Sequence, residues 1–164
     1  MSVPFLDLAA AGNELRDELD AASRRVIDSG WFILGGELEA FEREFAAYCG
    51  ARHAIGVGNG LDALAIVLRA LGVEDGDEVS VPGHTFIATW LAVTLAGGVP
   101  RPVDVDDRTM NLSPACLDAA ITDRTRVVMP VHMHGLPADM ERICAISRAH
   151  GARVVEDAAQ AHGA

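Results

Sequence analysis

The chain has 164 residues, 24 of them acidic and 13 basic, for a formal net charge of −11, and half of its residues are hydrophobic. All 13 basic residues are arginines, from Arg16 to Arg153; without lysine these residues offer no Schiff base, no lysine general base and no Walker lysine. The acidic surplus repels nucleic-acid phosphates and anionic membranes, so neither is expected as a partner, while the length and hydrophobic content fit one domain.

In chain order, the first residues have no basic n-region and no apolar h-region, so no signal peptide is expected. Asn13 is positioned to cap a helix over 14–28, in which Leu15, Leu19, Ala22, Val26 and Ile27 form one apolar stripe. Ser29-Gly30 ends it, and Trp31-Phe32-Ile33-Leu34 runs to Gly35-Gly36. A second helix is predicted over 37–48, with Leu38, Phe41 and Phe45 on one face and Gly50 closing it. The rhythm changes at His53, which divides a helical segment (1–52) from an α/β core (53–164).

In that core, 53–57 reads as a short apolar strand that runs through Gly58-Asn59-Gly60 into a helix over 61–71. A strand over 77–81 and a helix over 85–96 follow. Residues 99–105 are extended but interrupted by Pro100 and Pro102, the mark of a strand end or an edge strand. Ser113-Pro114 opens a helix to Ile121, 126–131 reads as a buried strand, 139–150 as a helix and 152–155 as a last strand. Short strands alternating with helices predict a three-layer α/β fold with a mainly parallel sheet. The stretch 86–99 is too short and too interrupted to span a bilayer. Cys49, Cys116 and Cys144 lack C-x-x-C spacing and read as reduced thiols in a cytoplasmic protein.

Several residues carry candidate chemistry. Gly58-Asn59-Gly60-Leu61-Asp62 joins a strand to a helix, so it reads either as a phosphate cradle or as an ordinary tight βα turn. It is neither G-x-G-x-x-G nor a P-loop. Asp157 follows a buried-type strand, where a carboxylate either keeps a heterocyclic nitrogen protonated or serves as a helix cap or salt-bridge partner. Gln160 stands three residues on, and His84 or Phe86 follows another strand with a ring for the same edge or for the core. His132 and His134 have H-x-H spacing, which on a strand puts both on one face; a structural or substrate-contacting role is preferred to a metal pair, and no metal is expected. Trp31 lies in a loop as a binding platform or a lid. The last strand brings Glu156-Asp157 to a sheet edge and the chain then stops, so the sequence reads as the front part of a larger domain.

Eight blocks stand together: 3–8 (VPFLDL), 29–35 (SGWFILG), 41–48 (FEREFAAY), 58–64 (GNGLDAL), 76–89 (GDEVSVPGHTFIAT), 103–106 (VDVD), 130–140 (PVHMHGLPADM) and 155–163 (VEDAAQAHG). In this order and spacing, over the whole chain, they closely resemble the DegT/DnrJ/EryC1/StrS family of pyridoxal-phosphate-dependent nucleotide-sugar aminotransferases of fold type I. The resemblance implies the large cofactor domain of such an enzyme, cut before its catalytic lysine, with the small domain absent. It implies that Asp157 pairs with the pyridinium nitrogen, Gln160 reaches the phenolic oxygen and Phe86 stacks on the ring. The backbone of Gly60, Leu61 and Asp62 would hold the phosphate of pyridoxal 5'-phosphate. Leu61 departs from the threonine often found there, so a hydroxyl contact is lost. Trp31 and His84 fall where family members approach the nucleotide-sugar.

The reaction implied is transamination from an amino donor, typically glutamate, to a keto-sugar on a nucleoside diphosphate. The GNGLDAL and HTFIAT blocks look most like members acting on dTDP-3-keto-6-deoxyhexoses. The intact enzyme is expected to be a homodimer with shared active sites, and these residues alone to have no turnover. Sugar 3-dehydratases of the family carry histidine in place of the missing lysine and are the alternative within it. Outside it stand a non-catalytic binding module and a plain nucleotide-binding α/β domain; the lack of G-x-G-x-x-G and Gly-Lys counts against the latter.

Overall fold

The computed structural model describes Val3, Phe5 and residues 7–164, so block 3–8 lies partly outside the described residues. The chain forms two compact units, Met1–Gly56 and Val57–Ala164.

The first unit holds three helices, α1 (Leu8–Glu14), α2 (Arg16–Ser29) and α3 (Gly36–Tyr48). Asn13, expected as a cap, lies inside α1. The cap is Asp7, whose carboxylate accepts the Ala10 N–H at 3.1 Å, so helix begins a turn earlier and breaks at Leu15 instead. Gly30, at φ 65°, ends α2 in the left-handed conformation that glycine adopts without a Cβ clash. Arg25 of α2 grips Glu37 of α3 through two bonds of 2.6 and 3.0 Å. Phe41 and Phe45 stack with centroids 5.3 Å apart. Among the described residues of this unit Ala46 alone is buried, and the α2 stripe stays open, with Leu19 and Ile27 52% and 63% exposed.

Residues 53–57, expected as a strand, form none among the described residues; Ile55 is 81% exposed, and extended backbone becomes a strand only when a neighbour completes its ladder.

The second unit runs α4 (Gly60–Ala70), β1 (Glu78–Pro82), α5 (Ile87–Ala96), β2 (Val99–Val103), α6 (Pro114–Ala120), β3 (Thr125–Val128), α7 (Met140–Ala149) and β4 (Arg153–Val154). The strands form one sheet in the order β2-β1-β3-β4, every pair parallel. Period-2 alternation divides its side chains between two cores. Val79, Val81, Val127 and Met129 pack with Leu68 of α4 and Ala92 and Val93 of α5. Val103 and Val128 pack with Leu117 of α6 and Ile143 of α7. Helices therefore cover both faces, giving the three-layer α/β arrangement.

β2 is the edge, one of the two readings its prolines allow. Val99 donates to Asp77 O and Val103 O accepts from Gly83, so odd positions face β1 and Pro100 and Pro102 face outward, where a missing N–H leaves no ladder bond unmade. At the start of β1, Glu78 is 3% exposed. It accepts the Thr122 hydroxyl at 2.7 Å and the Arg124 guanidinium at 2.6 Å; the hydroxyl first, then the guanidinium, hold its pKa below the ordinary glutamate value, against burial.

Candidate active site

From β1 the chain first crosses to β2 on one side, then returns past β1 to β3 on the other. That reversal opens a crevice at the carboxyl ends of β1 and β3, the place where open α/β sheets take their ligands. A cleft of about 510 Å³ lies there, within the usual range for small-molecule sites. Its walls come from the start of α4 (Asn59, Gly60, Leu61), the turn after β1 (Thr85, Phe86), the segment after β3 (Val131, Met133) and the segment after β4 (Asp157, Gln160). Asp157 is the one ionisable side chain among these lining residues, so an anion would find no side-chain cation in the wall.

The start of α4 supplies the missing positive character. Asn59 caps it, its side-chain oxygen accepting the Asp62 N–H at 2.9 Å while its amide donates to the Asp62 carboxylate at 2.9 Å. The Asp62 N–H is thereby engaged, which leaves the Gly60 and Leu61 N–H groups without an acceptor inside the helix. Both residues line the cleft.

Asp157 sits beyond β4 in a continuation of the sheet: it bridges Val131 in parallel, donating its N–H to Pro130 O at 2.9 Å and accepting from His132 N at 3.1 Å. The residue is 9% exposed. Oδ2 accepts the Thr89 hydroxyl at 2.9 Å and Oδ1 accepts the Ala159 N–H at 3.2 Å. Gln160 is oriented from the other side. His134, at φ 56°, and Gly135, at φ 82°, form a left-handed pair in a short 3-10 turn, and the His134 N–H donates to Gln160 Oε1 at 2.8 Å. With its oxygen engaged, the amide nitrogen of Gln160 is the donor left for a ligand. Phe86 occupies the N-cap position of α5, lines the cleft and is 72% exposed.

The cleft thus unites Gly60, Leu61, Phe86, Asp157 and Gln160. Asp62 and His84 are not among its lining residues; the exposed His84 ring stands 6.3 Å from that of His134. Trp31 lies in the first unit, its indole N–H donated to Ile33 O at 2.5 Å.

The expectation that His132 and His134 share a strand face is corrected. Extended pairing beyond β3 reaches His132 and then gives way to the 3-10 turn at Met133–Gly135, so His132 is buried and His134 exposed. His132 Nδ1 accepts the Ala138 N–H at 3.0 Å, which places the ring proton on Nε2, 2.9 Å from the Glu156 carboxylate. Among the described residues no group of three or more His, Cys, Asp or Glu is placed to hold a metal ion.

Two contributors went unassigned by sequence. Thr89 shows itself only as the second of two threonines four apart at a helix start, spacing that puts both on one face. Asn111 gives no local signal; buried, it accepts the Met133 N–H at 3.0 Å and donates to Leu136 O at 2.9 Å, fixing the turn that carries His134.

Comparison with known proteins gives the family and the fold. The family model for the DegT/DnrJ/EryC1/StrS aminotransferase family matches residues 13–164. The chain is 56% identical to dTDP-3-amino-3,4,6-trideoxy-alpha-D-glucose transaminase of Streptomyces venezuelae, over 99% of this chain and 43% of that protein. It is likewise 56% identical to the erythromycin biosynthesis sensory transduction protein EryC1 of Saccharopolyspora erythraea, over 100% of this chain and 45% of that protein. Among solved structures, S. venezuelae DesV in complex with a ketimine intermediate superposes with a TM-score of 0.95 at 56% identity, over 98% of this chain and 43% of that one. NtdA of Bacillus subtilis, with the cofactor PMP bound, gives a TM-score of 0.92 at 38% identity, over 99% of this chain and 38% of that one. The chain spans less than half the length of these relatives. With a family model matching residues 13–164 and its fold shared with these structures, the chain belongs to the DegT/DnrJ/EryC1/StrS aminotransferase family.

Proposed function

We propose that these residues form the cofactor-binding part of a pyridoxal-phosphate-dependent aminotransferase acting on a nucleotide-linked keto-deoxysugar. The observation that carries this reading is the Asp157 carboxylate, buried at the carboxyl edge of the sheet with both oxygens engaged and beside an anion-receptive helix start. The residues fit pyridoxal 5'-phosphate: the cleft has the volume, the α4 start suits a phosphate, Phe86 suits a flat ring and Asp157 suits a basic ring nitrogen. When bound, the cofactor supplies the electron sink that lets an amino group replace a keto oxygen.

Each residue then has a task. Gly60 and Leu61 donate backbone N–H groups to the phosphate; Leu61 brings no hydroxyl, so the α4 start and its dipole carry that contact. Asp157 holds a proton at the ring nitrogen by a charge-assisted hydrogen bond, strengthened where water is excluded. Gln160, its oxygen occupied by His134, donates to the phenolic oxygen. Phe86 covers the ring face and keeps water from it. His84, beside His134, contacts the nucleotide-sugar.

The 56% identity to a dTDP-amino-sugar transaminase supports a dTDP-3-keto-6-deoxyhexose as acceptor, with glutamate as donor. The enzyme carrying these residues is expected to aminate a 3-keto dTDP-6-deoxyhexose in the presence of glutamate, followed by mass spectrometry of the product. Amination of the 4-keto isomer alone would overturn the assignment.

A further inference from the structure

The hydroxyl on Asp157 belongs to a chain. Thr89 Oγ1 lies 2.9 Å from Asp157 Oδ2 and also 2.9 Å from Thr85 Oγ1. A carboxylate oxygen accepts, so the single Thr89 proton is spent on Asp157. Thr89 then faces Thr85 with lone pairs only, and Thr85 donates to Thr89. The order is fixed: Thr85 to Thr89 to Asp157. Thr89 is 1% exposed and Thr85 half-buried, and both line the cleft wall.

We infer that Thr89 is the positioning residue for Asp157, with Thr85 as its support, and that the first turn of α5 sets the carboxylate and the Phe86 ring as one unit. The inference rests on Asp157 being the ring-nitrogen partner. A carboxylate turns about its Cβ–Cγ bond; here the Thr89 hydroxyl on Oδ2 and the Ala159 N–H on Oδ1 hold its plane from two directions. Without the hydroxyl, Oδ2 keeps its burial but loses its donor, and the carboxylate turns toward whatever donor it can find. Thr89 lies in the first turn of α5 and bonds the carboxylate directly, while Thr85 precedes the helix, bonds Thr89 and is followed by Phe86 at the N-cap position. A displacement that breaks the hydroxyl chain therefore also moves the ring at the cleft.

The test titrates the 164-residue chain with free pyridoxamine 5'-phosphate, followed by cofactor fluorescence, with far-UV circular dichroism verifying that each variant is folded. Thr89→Val, equal in size but unable to donate, is expected to weaken binding about tenfold, and Thr89→Ser to stay within about twofold of wild type. Thr85→Val is expected to cost about two- to threefold, because Asp157 keeps its own donor. With ring-nitrogen-15N-labelled pyridoxamine phosphate, the bound resonance in Thr89→Val is expected to move toward the unprotonated position, while Thr89→Ser leaves it unchanged. Should Thr89→Val fail to fold, Thr89→Cys, near serine in size but a poor donor, takes its place. Asp157→Asn separates the two readings. If wild type and Asp157→Asn bind alike, the functional reading fails. If Asp157→Asn weakens binding while the Thr89 non-donor variant matches wild type in affinity and resonance, the positioning role is overturned.

Discussion

Glu78 shows how a single buried charge is tolerated in this fold. Its carboxylate accepts from the Thr122 hydroxyl and from two nitrogens of Arg124, so burial is offset by donors, not left as an unpaired charge. These contacts tie the start of β1 to the turn before β3. Glu78→Gln removes the charge assistance and is expected to lower stability by about 1.5–3 kcal/mol, read from urea midpoints. The pH dependence has a definite sign. Because the folded pKa lies below the reference value of 4.5, ionisation of Glu78 stabilises the fold fully above that value and progressively less as the pH falls through the folded pKa. The wild type is expected to lose stability on acidification below about pH 4.5 more steeply than Glu78→Gln, and parallel acid limbs would contradict this.

At the scale of elements, the cap of α4 links stability to the site. Asn59 engages Asp62 through both its N–H and its carboxylate. Asn59→Ala is expected to cost about 1 kcal/mol in thermal or urea unfolding. It also frees the Asp62 carboxylate at the helix start, so pyridoxamine phosphate affinity should fall with it. Much of this architecture is legible in sequence because each signal is local. Gly30 marks the end of α2, Ser113-Pro114 the start of α6, and Pro100 with Pro102 the edge strand. What escapes depends on contacts distant in the chain. Residues 53–57 have the composition of a strand and lack a ladder neighbour. Asn13 has the chemistry of a cap, but Asp7 caps first. Likewise Asp157 is conspicuous after its strand, whereas the Thr89 hydroxyl 68 residues earlier acquires meaning only when α5 packs beside the sheet. The H-x-H pair misleads for a related reason: period-2 reasoning holds only while the strand lasts.

For the whole molecule, the composition and the cleft make a joint prediction. The chain has no lysine, so under the proposed function the cleft would receive pyridoxal phosphate without a side-chain amine of this chain to condense with its aldehyde. Mixing the chain with pyridoxal phosphate is expected to give no stoichiometric protein-bound imine band beyond slow reaction at the terminal amine. A stoichiometric band sensitive to Asp157→Ala would contradict this. The prolines of β2 have a consequence of another kind. A parallel sheet has two flanks, and an open flank invites strands of other molecules. On the β2 flank Pro100 and Pro102 offer carbonyls without N–H groups, so an incoming strand meets half a ladder. The β4 flank carries no such guard among the described residues. Lateral growth of this sheet is therefore one-sided, and replacing both prolines with valine should make it two-sided. The double variant is expected to remain folded by circular dichroism yet to self-associate with rising concentration, visible as light scattering that the wild type does not show.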